Sequence, residues 1–395
     1  MLIMVCNAGS TSLKFKIYDM PREEVLCSGG VERVGSTEDA IFKYENTEKD
    51  VSVKLEKQSV PDYASGIKLF LSWALSQETG ALASPEEIDR VGFKTVLSKG
   101  YYGTHFITEE VLNGMRELYA AAPVHNGCYL QAIAALREVL PDTPFVGAFE
   151  TAFHTTIPLE RRVYGLPYEW IEKYGVQRMG YHGASHSYVA AKLREWEGER
   201  YRAVSCHMGG SGSLCAVENG ESRDSSFGLT LQTGLIHNNR VGDVDPDLVF
   251  YLRSRGLTDE EIREGYTKKG GLLGISGVSN DLRYVLEAMD EGNERAKLAV
   301  NVYVTGIVRY IGAFAAELGG LDCIAFTGGI GENSPAIRRL VCEKLGIFGV
   351  KLDDDNNENG KGDRNIASAD SAVRVYVIRQ NEELGVARRT FACEN

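Results

Sequence analysis

Asn7, Ser10, Ser12 and Lys14 fall together in the stretch VCNAGSTSLKF, from Val5 to Phe15. Amide and hydroxyl side chains, glycine-freed backbone N–H groups and one ammonium gathered in a turn can converge on an anion, which is how loops bind phosphate. The same residues also suit a plain hairpin turn, and no helix pattern follows them as a Walker loop requires. A second stretch, AVSCHMGGSGSLCAVENGE from Ala203 to Glu221, repeats the build, with His207, Gly209, Gly210, Ser211 and Ser213 in its polar turn. A third, from Cys323, runs from a buried strand through a glycine-rich turn at Thr327 to Gly331 into a helix whose first turn includes Pro335. Glycines there let backbone approach a flat or charged ligand closely.

Hydrophobic spacing identifies the elements that must hold these turns. Leu2 to Cys6 is an apolar run of buried-strand type, and Leu13, Phe15 and Ile17 alternate with Lys14, Lys16 and Tyr18 at strand period. Asn7 to Ser12 is therefore expected to interrupt two strands as a polar turn, with His207 to Ser213 as its counterpart. Two halves that each open with such a hairpin point to a duplicated α/β architecture whose loops face a shared nucleotide cleft. A helix is expected from Glu109 to Tyr119 with Thr108 as its N-cap. Asp353 to Asp363 reads as an exposed loop, since it lacks the closing Glu of an EF-hand.

The chain has 395 residues, more than one domain usually holds, so two are expected. Lys and Arg number 43 against 55 Asp and Glu, a net charge of −12 with no long basic run. That balance disfavours nucleic-acid binding by phosphate neutralisation. No apolar run is read as approaching the roughly 20 residues that span a bilayer, and no signal-peptide pattern opens the chain. The expectation is a cytoplasmic protein with neither nucleic-acid nor membrane partners. Eight cysteines are scattered without a Cys-x-x-Cys pair and read as reduced, partly buried thiols.

Several segments resemble, in order, those of the acetate kinase family. They are Asn7 to Phe15, AFETAFHTTIP from Ala148, RMGYHGASHSYVA from Arg178, RVGDVDP from Arg240, FTGGIGEN from Phe326 and NEELGVARRT from Asn381. The resemblance implies the fold shared by acetate and sugar kinases, heat-shock cognate chaperones and actin: two duplicated actin-like α/β domains with ATP in the cleft between them. The domains would be residues 1–148, joined by a closing helix over 380–395, and residues 149–379. A homodimer is implied. The reaction implied is reversible, in-line phosphoryl transfer from ATP to acetate or propionate, giving an acyl phosphate and ADP, with Mg²⁺ or Mn²⁺.

By the same resemblance Arg240 and His182 stabilise the transferring phosphoryl, and Glu150 is the carboxylate of the catalytic set. Lys94, Val96, His125 and Tyr181, with Val124, border the acid. Nucleotide and phosphates fall to Ser10, Ser12, Lys14, His207, Gly209, Gly210 and Ser211, to Asp281, Leu282 and Arg283, and to Gly329, Ile330, Gly331, Glu332 and Asn333. Asn7 and Glu382 position the metal, with Glu383 as substitute. The residues themselves leave alternatives open: Arg240 as ion-pair partner of Asp243 or Asp245, His125 as a helix cap, and His154 as a structural histidine. His182 and His186 have the spacing of a helical zinc pair, but Gly183 intervenes and no third ligand is apparent.

The implied chemistry sets its own demands. A carboxylic acid, with a pKa of about 4 to 5, is already ionised near neutral pH and needs no strong base. The obstacle is repulsion between two anions, which cations and donors must offset. Against that need, the family pattern is altered at several positions. Lys94 stands where the family has an arginine, keeping the charge without the bidentate fork. Glu150 replaces an aspartate. The asparagine of His-Leu-Gly-Asn-Gly is Gly210, which removes a phosphate contact or moves it to Ser211 or Ser213. Thr230 to Leu235 replaces Thr-Pro-Leu-Glu-Gly-Leu, and Asn238-Asn239 replaces Gly-Thr. Two other readings therefore stand beside the acyl kinase: a same-fold phosphotransferase with another acceptor or donor, such as pyrophosphate, and a non-catalytic nucleotide-binding protein.

Overall fold

The computed structural model describes residues 1–121 and 123–394, without the side chains of residues 121, 123 and 124. The chain forms two compact units, one of residues 1–152 with 381–395 and one of residues 153–380.

The first unit is built on an eight-stranded sheet of β1 (Leu2–Gly9), β2 (Ser12–Asp19), β3 (Glu24–Glu32), β4 (Ser36–Asn46), β5 (Val51–Val60), β6 (Ile88–Phe93), β7 (Thr104–Phe106) and β8 (Phe145–Ala148). Their order is β5-β4-β3-β2-β1-β6-β8-β7. Strands β1 to β5 pair antiparallel, whereas β1, β6 and β8 pair parallel. The period-2 pattern of β2 turns Leu13, Phe15 and Ile17 into the core. Phe15 stacks there on Phe70 of the Tyr63–Ala74 helix at 4.6 Å. Elsewhere in the unit, Val386 and Ala387 of the Glu382–Phe391 helix pack with Ile3, Val5 and Tyr18. Asn381 caps that helix by accepting from Leu384 N at 3.2 Å, which fixes the turn carrying Glu382.

The second unit repeats the central plan in a six-stranded sheet. Its strands are β9 (Arg202–Met208), β10 (Gly212–Glu218), β11 (Glu221–Ser225), β12 (Cys323–Thr327), β13 (Arg364–Asn365) and β14 (Arg374–Val377), in the order β11-β10-β9-β12-β14-β13. The β11-β10-β9 meander followed by parallel β12 and β14 matches β3-β2-β1 followed by parallel β6 and β8. Its core helix, Glu294–Glu317, is long and apolar enough by composition to cross a membrane, so the sequence reading that no stretch approaches that length needs correction. Here Val300, Val304, Ile307 and Ile311 of that helix join Leu214, Ile324 and Phe326 of the sheet in one hydrophobic cluster.

Five local expectations are also corrected. The polar run Asn7–Ser12 does not interrupt the first hairpin: β1 continues to Gly9, Asn7 faces Lys14 and Ala8 faces Leu13, leaving Ser10 and Thr11 as the turn. Ladder bonds use backbone groups alone, so polar side chains at a strand end do not stop pairing. In the second hairpin His207 pairs with Ser213, and the turn shrinks to Gly209, Gly210 and Ser211. The third glycine-rich turn is a short helix, Gly328–Asn333, followed by the Pro335–Glu343 helix. Within the acidic loop, Asp354–Asn359 is helical because Asp353 caps it, accepting from Asn356 N at 3.0 Å. The Glu109–Glu117 helix is capped by Thr108 and ends short of Tyr119. All eight cysteines are free and buried.

Candidate active site

In the first unit, side chains far apart in sequence gather around one ammonium. Lys94, just past β6, places Nζ 2.5 Å from Glu382 Oε2 and 3.7 Å from Glu150 Oε1. Burial opposes the lysine's charge, but the Glu150 and Glu382 carboxylates outweigh it and hold the ammonium above the usual lysine range. The two carboxylates thus converge on a single cation. Tyr129, also buried, donates its hydroxyl to Asn7 Oδ1 at 3.1 Å. Burial raises the Tyr129 phenol, while the charge of Lys94 acts in the opposite sense.

Apart from Val96, the remaining sites of this unit are less enclosed. Ser10 is exposed in the turn, and Ser12 pairs with Gly9. Lys14 projects from the solvent face of β2 into a surface depression with Lys16, Gly29, Gly30 and Lys43. Val96 is buried. His125 is exposed in the first turn of the Pro123–Val139 helix, within it rather than capping it. The side chain of Val124 lies outside the described residues.

The second unit assembles imidazoles instead of ions. His182 has a left-handed backbone, φ 56°, at the start of the Gly183–Glu197 helix, so Gly183 opens a helix that continues through His186. His182 Nδ1 lies 2.9 Å from Ser213 Oγ, and His186 Nε2 lies 2.8 Å from the same oxygen. One hydroxyl between two imidazole nitrogens donates to one and accepts from the other, which ties their tautomers together. His186 Nδ1 is bonded to Ser205 Oγ at 2.8 Å, so both its nitrogens are engaged. The His182 ring stacks on His207 at 4.0 Å, and His207 Nδ1 is met by Ser185 Oγ at 2.9 Å and Gln380 Nε2 at 2.8 Å. His207 Nε2 lies on the side of the Gly209 turn.

Burial keeps the deeper rings of this unit neutral. It pushes His154 down to about 4, against a backbone bond from its Nε2 to Tyr181 O. His186 is likewise held well below the usual histidine range by burial, then by its histidine neighbours. His237 falls to about 3 through burial and the nearby Arg240 charge. Tyr181 is buried against Phe227 and donates to Leu229 O at 2.5 Å, so its hydroxyl is satisfied internally.

Arg240 stands apart from these groups as a full charge. Its Nη1 donates to Leu231 O at 2.7 Å, and it makes no ion pair among the described residues. The Asp243 oxygens accept instead from Gly234 N and Tyr310 OH, at 2.8 and 2.5 Å. Burial lowers the guanidinium to about 10, the direction expected of a cation that has lost water without gaining an anion.

Near the third glycine-rich segment, Glu332 Oε1 accepts from Gly328 N and Gln380 N, both at 3.1 Å, and burial raises its carboxyl. Asn333 bonds to Gly329 O at 2.9 Å, and buried Arg338 takes the Gly331 and Glu332 carbonyls. Gly328 is left-handed at φ +76°, and a Cβ there would lie 2.8 Å from Met208 O, so this close approach requires glycine. Ile330 packs against the unit's core. Asp281 caps the Leu282–Asp290 helix and pairs with exposed Arg283 at 2.6 Å. The Leu282 side chain is buried in the core. Ser213, offered as a replacement phosphate contact, is consumed by the two histidines. Sequence reasoning missed Tyr129, Gln380, Ser205 and Phe227. Tyr129 could have been found one helical turn beyond His125, and Gln380 beside the Asn381-Glu382 motif.

Residues 2–388 match the acetokinase family. An acetate kinase of Halothermothrix orenii is 40% identical over 396 residues, covering 99% of this chain and 98% of the relative. That of Shouchella clausii is 42% identical over 394 residues, with 98% of each covered. Among solved structures, the acetate kinase of Porphyromonas gingivalis has a TM-score of 0.89 at 38% identity, covering 99% of this chain and 98% of its own. A propionate kinase from Francisella tularensis has a TM-score of 0.91 at 29% identity, with 100% of both chains covered.

Proposed function

The chain belongs to the acetokinase family, with its duplicated actin-like fold and its carboxyl-group phosphotransferase activity, and on that premise we propose a reaction and a role for each cluster. The reaction is reversible transfer of the ATP γ-phosphoryl to acetate or propionate, giving the acyl phosphate and ADP. The attacking carboxylate needs no base, so catalysis is positioning and charge compensation. Arg240 binds the equatorial oxygens of the transferring phosphoryl, with His182 beside it as a donor. His207 and the Gly209–Ser211 turn receive the nucleotide phosphates, and Lys94 offsets the charge of the incoming acid.

The observation that carries this reading is Arg240, a guanidinium with one carbonyl partner and no ion pair among the described residues. A cation so placed favours an anion that arrives as substrate. Glu150, Glu382 and Asn7 are hard oxygen donors suited to Mg²⁺ or Mn²⁺, and the convergence of both carboxylates on one ammonium supports that use. Such an ion, when bound, supplies positive charge to the nucleotide phosphates. A cytoplasmic homodimer completes the proposal; exposed Phe250, Tyr251 and Leu298 on the second unit offer apolar surface for a partner copy.

Arg240→Ala tests the central role. Its kcat should fall about 10³- to 10⁵-fold, while calorimetry finds ADP affinity changed less than about threefold. Loss of ADP binding in step with turnover would make Arg240 a nucleotide anchor and overturn the assignment.

A further inference from the structure

The turn of the second hairpin and the segment before Arg240 have exchanged side chains. Where the family motif places asparagine this chain has Gly210, and where the motif places the glycine of Gly-Thr it has Asn238. The two positions touch. Asn238 N donates to Gly210 O at 3.1 Å, and a Cβ built on Gly210 would lie 3.0 Å from Asn238 Nδ2 and 3.6 Å from its Cγ. The Asn238 carboxamide therefore fills the space into which a side chain at position 210 would grow.

That carboxamide is also unengaged. Asn238 Oδ1 is buried without a hydrogen-bond partner, and the neighbouring Ser211 Oγ is in the same state. No hydrogen bond from Asn238 Nδ2 occurs among the described residues. Buried polar groups are nearly always bonded, and the Asn238 Nδ2 and the Ser211 hydroxyl can both donate, so two open donors beside a glycine turn point to a ligand that accepts from them, while Oδ1 is left for a donor such as water. Ser213 cannot serve, because its hydroxyl lies between His182 and His186.

We propose that Asn238 supplies the phosphate-directed carboxamide that the hairpin lacks at Gly210, donating its N–H to a phosphate oxygen of the bound nucleotide. The assignment rests on the acyl-kinase reading above. Asn238 is thus a substrate-binding residue, and Gly210 is small because Asn238 occupies its space.

The test is a double-mutant cycle read by ADP calorimetry and by the KM values for ATP and acetate. Asn238→Gly should weaken ADP binding and raise the ATP KM about tenfold, the loss expected of a hydrogen bond to a charged group, with the acetate KM within about twofold of the unsubstituted chain. Gly210→Asn alone should also weaken ADP binding, because it crowds Asn238. The double variant should return to within about threefold of the starting affinity, which no misfolded protein would do. Unchanged ADP binding in Asn238→Gly, or a double variant no better than that single one, would overturn the proposal. Absence of ADP binding by the unsubstituted chain would instead overturn the kinase reading, and this assignment with it.

Discussion

In the first unit Glu150 and Glu382 bring two carboxylates within 3.7 Å of the Lys94 nitrogen, whereas in the second His182 and His186 share the hydroxyl of Ser213. Both sets sit on the same five-strand plan, a meander followed by two parallel strands. The chemistry differs because the solvent penalty is met differently. Full charges within a protein are costly unless paired, and Lys94 has two carboxylates. Buried imidazoles avoid the penalty by staying neutral, as the depressed values at His154 and His237 indicate. Neutral rings also add no repulsion to Arg240, which remains a cation with unused donors. A duplicated scaffold thus carries one charge-dense set and one set of buried imidazoles beside a guanidinium without an ion pair among the described residues.

Breaking the ionic set should have the larger consequence for stability. Lys94→Met leaves the two carboxylates facing each other without their cation, and should cost about 3–5 kcal/mol, read as a lower urea midpoint. Lys94→Arg should recover most of that loss. A Met variant as stable as the original would mean that the carboxylates do not depend on the lysine, and the contrast between the units would fail.

The neutral set is probed by acid. The folded His154 pKa of about 4 lies below the ordinary value near 6.5, so the unfolded chain binds more protons between them. Its stabilising contribution is therefore complete above about pH 6.5 and disappears as pH falls toward 4, by up to about 3 kcal/mol. His154→Gln should flatten the stability curve over that interval, and hydrogen exchange at pH 5 should show strands β10 and β11 opening earlier than at pH 7. An equally steep curve in the variant would assign the acid sensitivity elsewhere.

The sequence carried these clusters unevenly. The strand alternation around Leu13, Phe15 and Ile17 was plain because period reports local backbone and burial together. The end of β1 was not, since Asn7, Ala8 and Gly9 look like a turn by composition yet continue the ladder. Lys94, Glu150 and Gly210 were visible as departures from a motif, but the meeting of Lys94 with Glu382, or of Asn238 with Gly210, joins distant segments that no local pattern reports. Tyr129 and Gln380 escaped for the same reason: each acts through one long-range hydrogen bond, and neither has a residue type that announces phosphate chemistry. Family resemblance bridged part of that distance, because a motif carries tertiary relationships that spacing alone does not.

The central claim is acyl-phosphate formation, and a hydroxylamine trap measures it most directly. Mg-ATP would be supplied with acids from acetate to butyrate and with hydroxylated acids, and the hydroxamate read for each. The account predicts strong signal with acetate or propionate, abolished by omitting ATP. Silence across the panel, in protein that calorimetry shows to bind ADP, would contradict it.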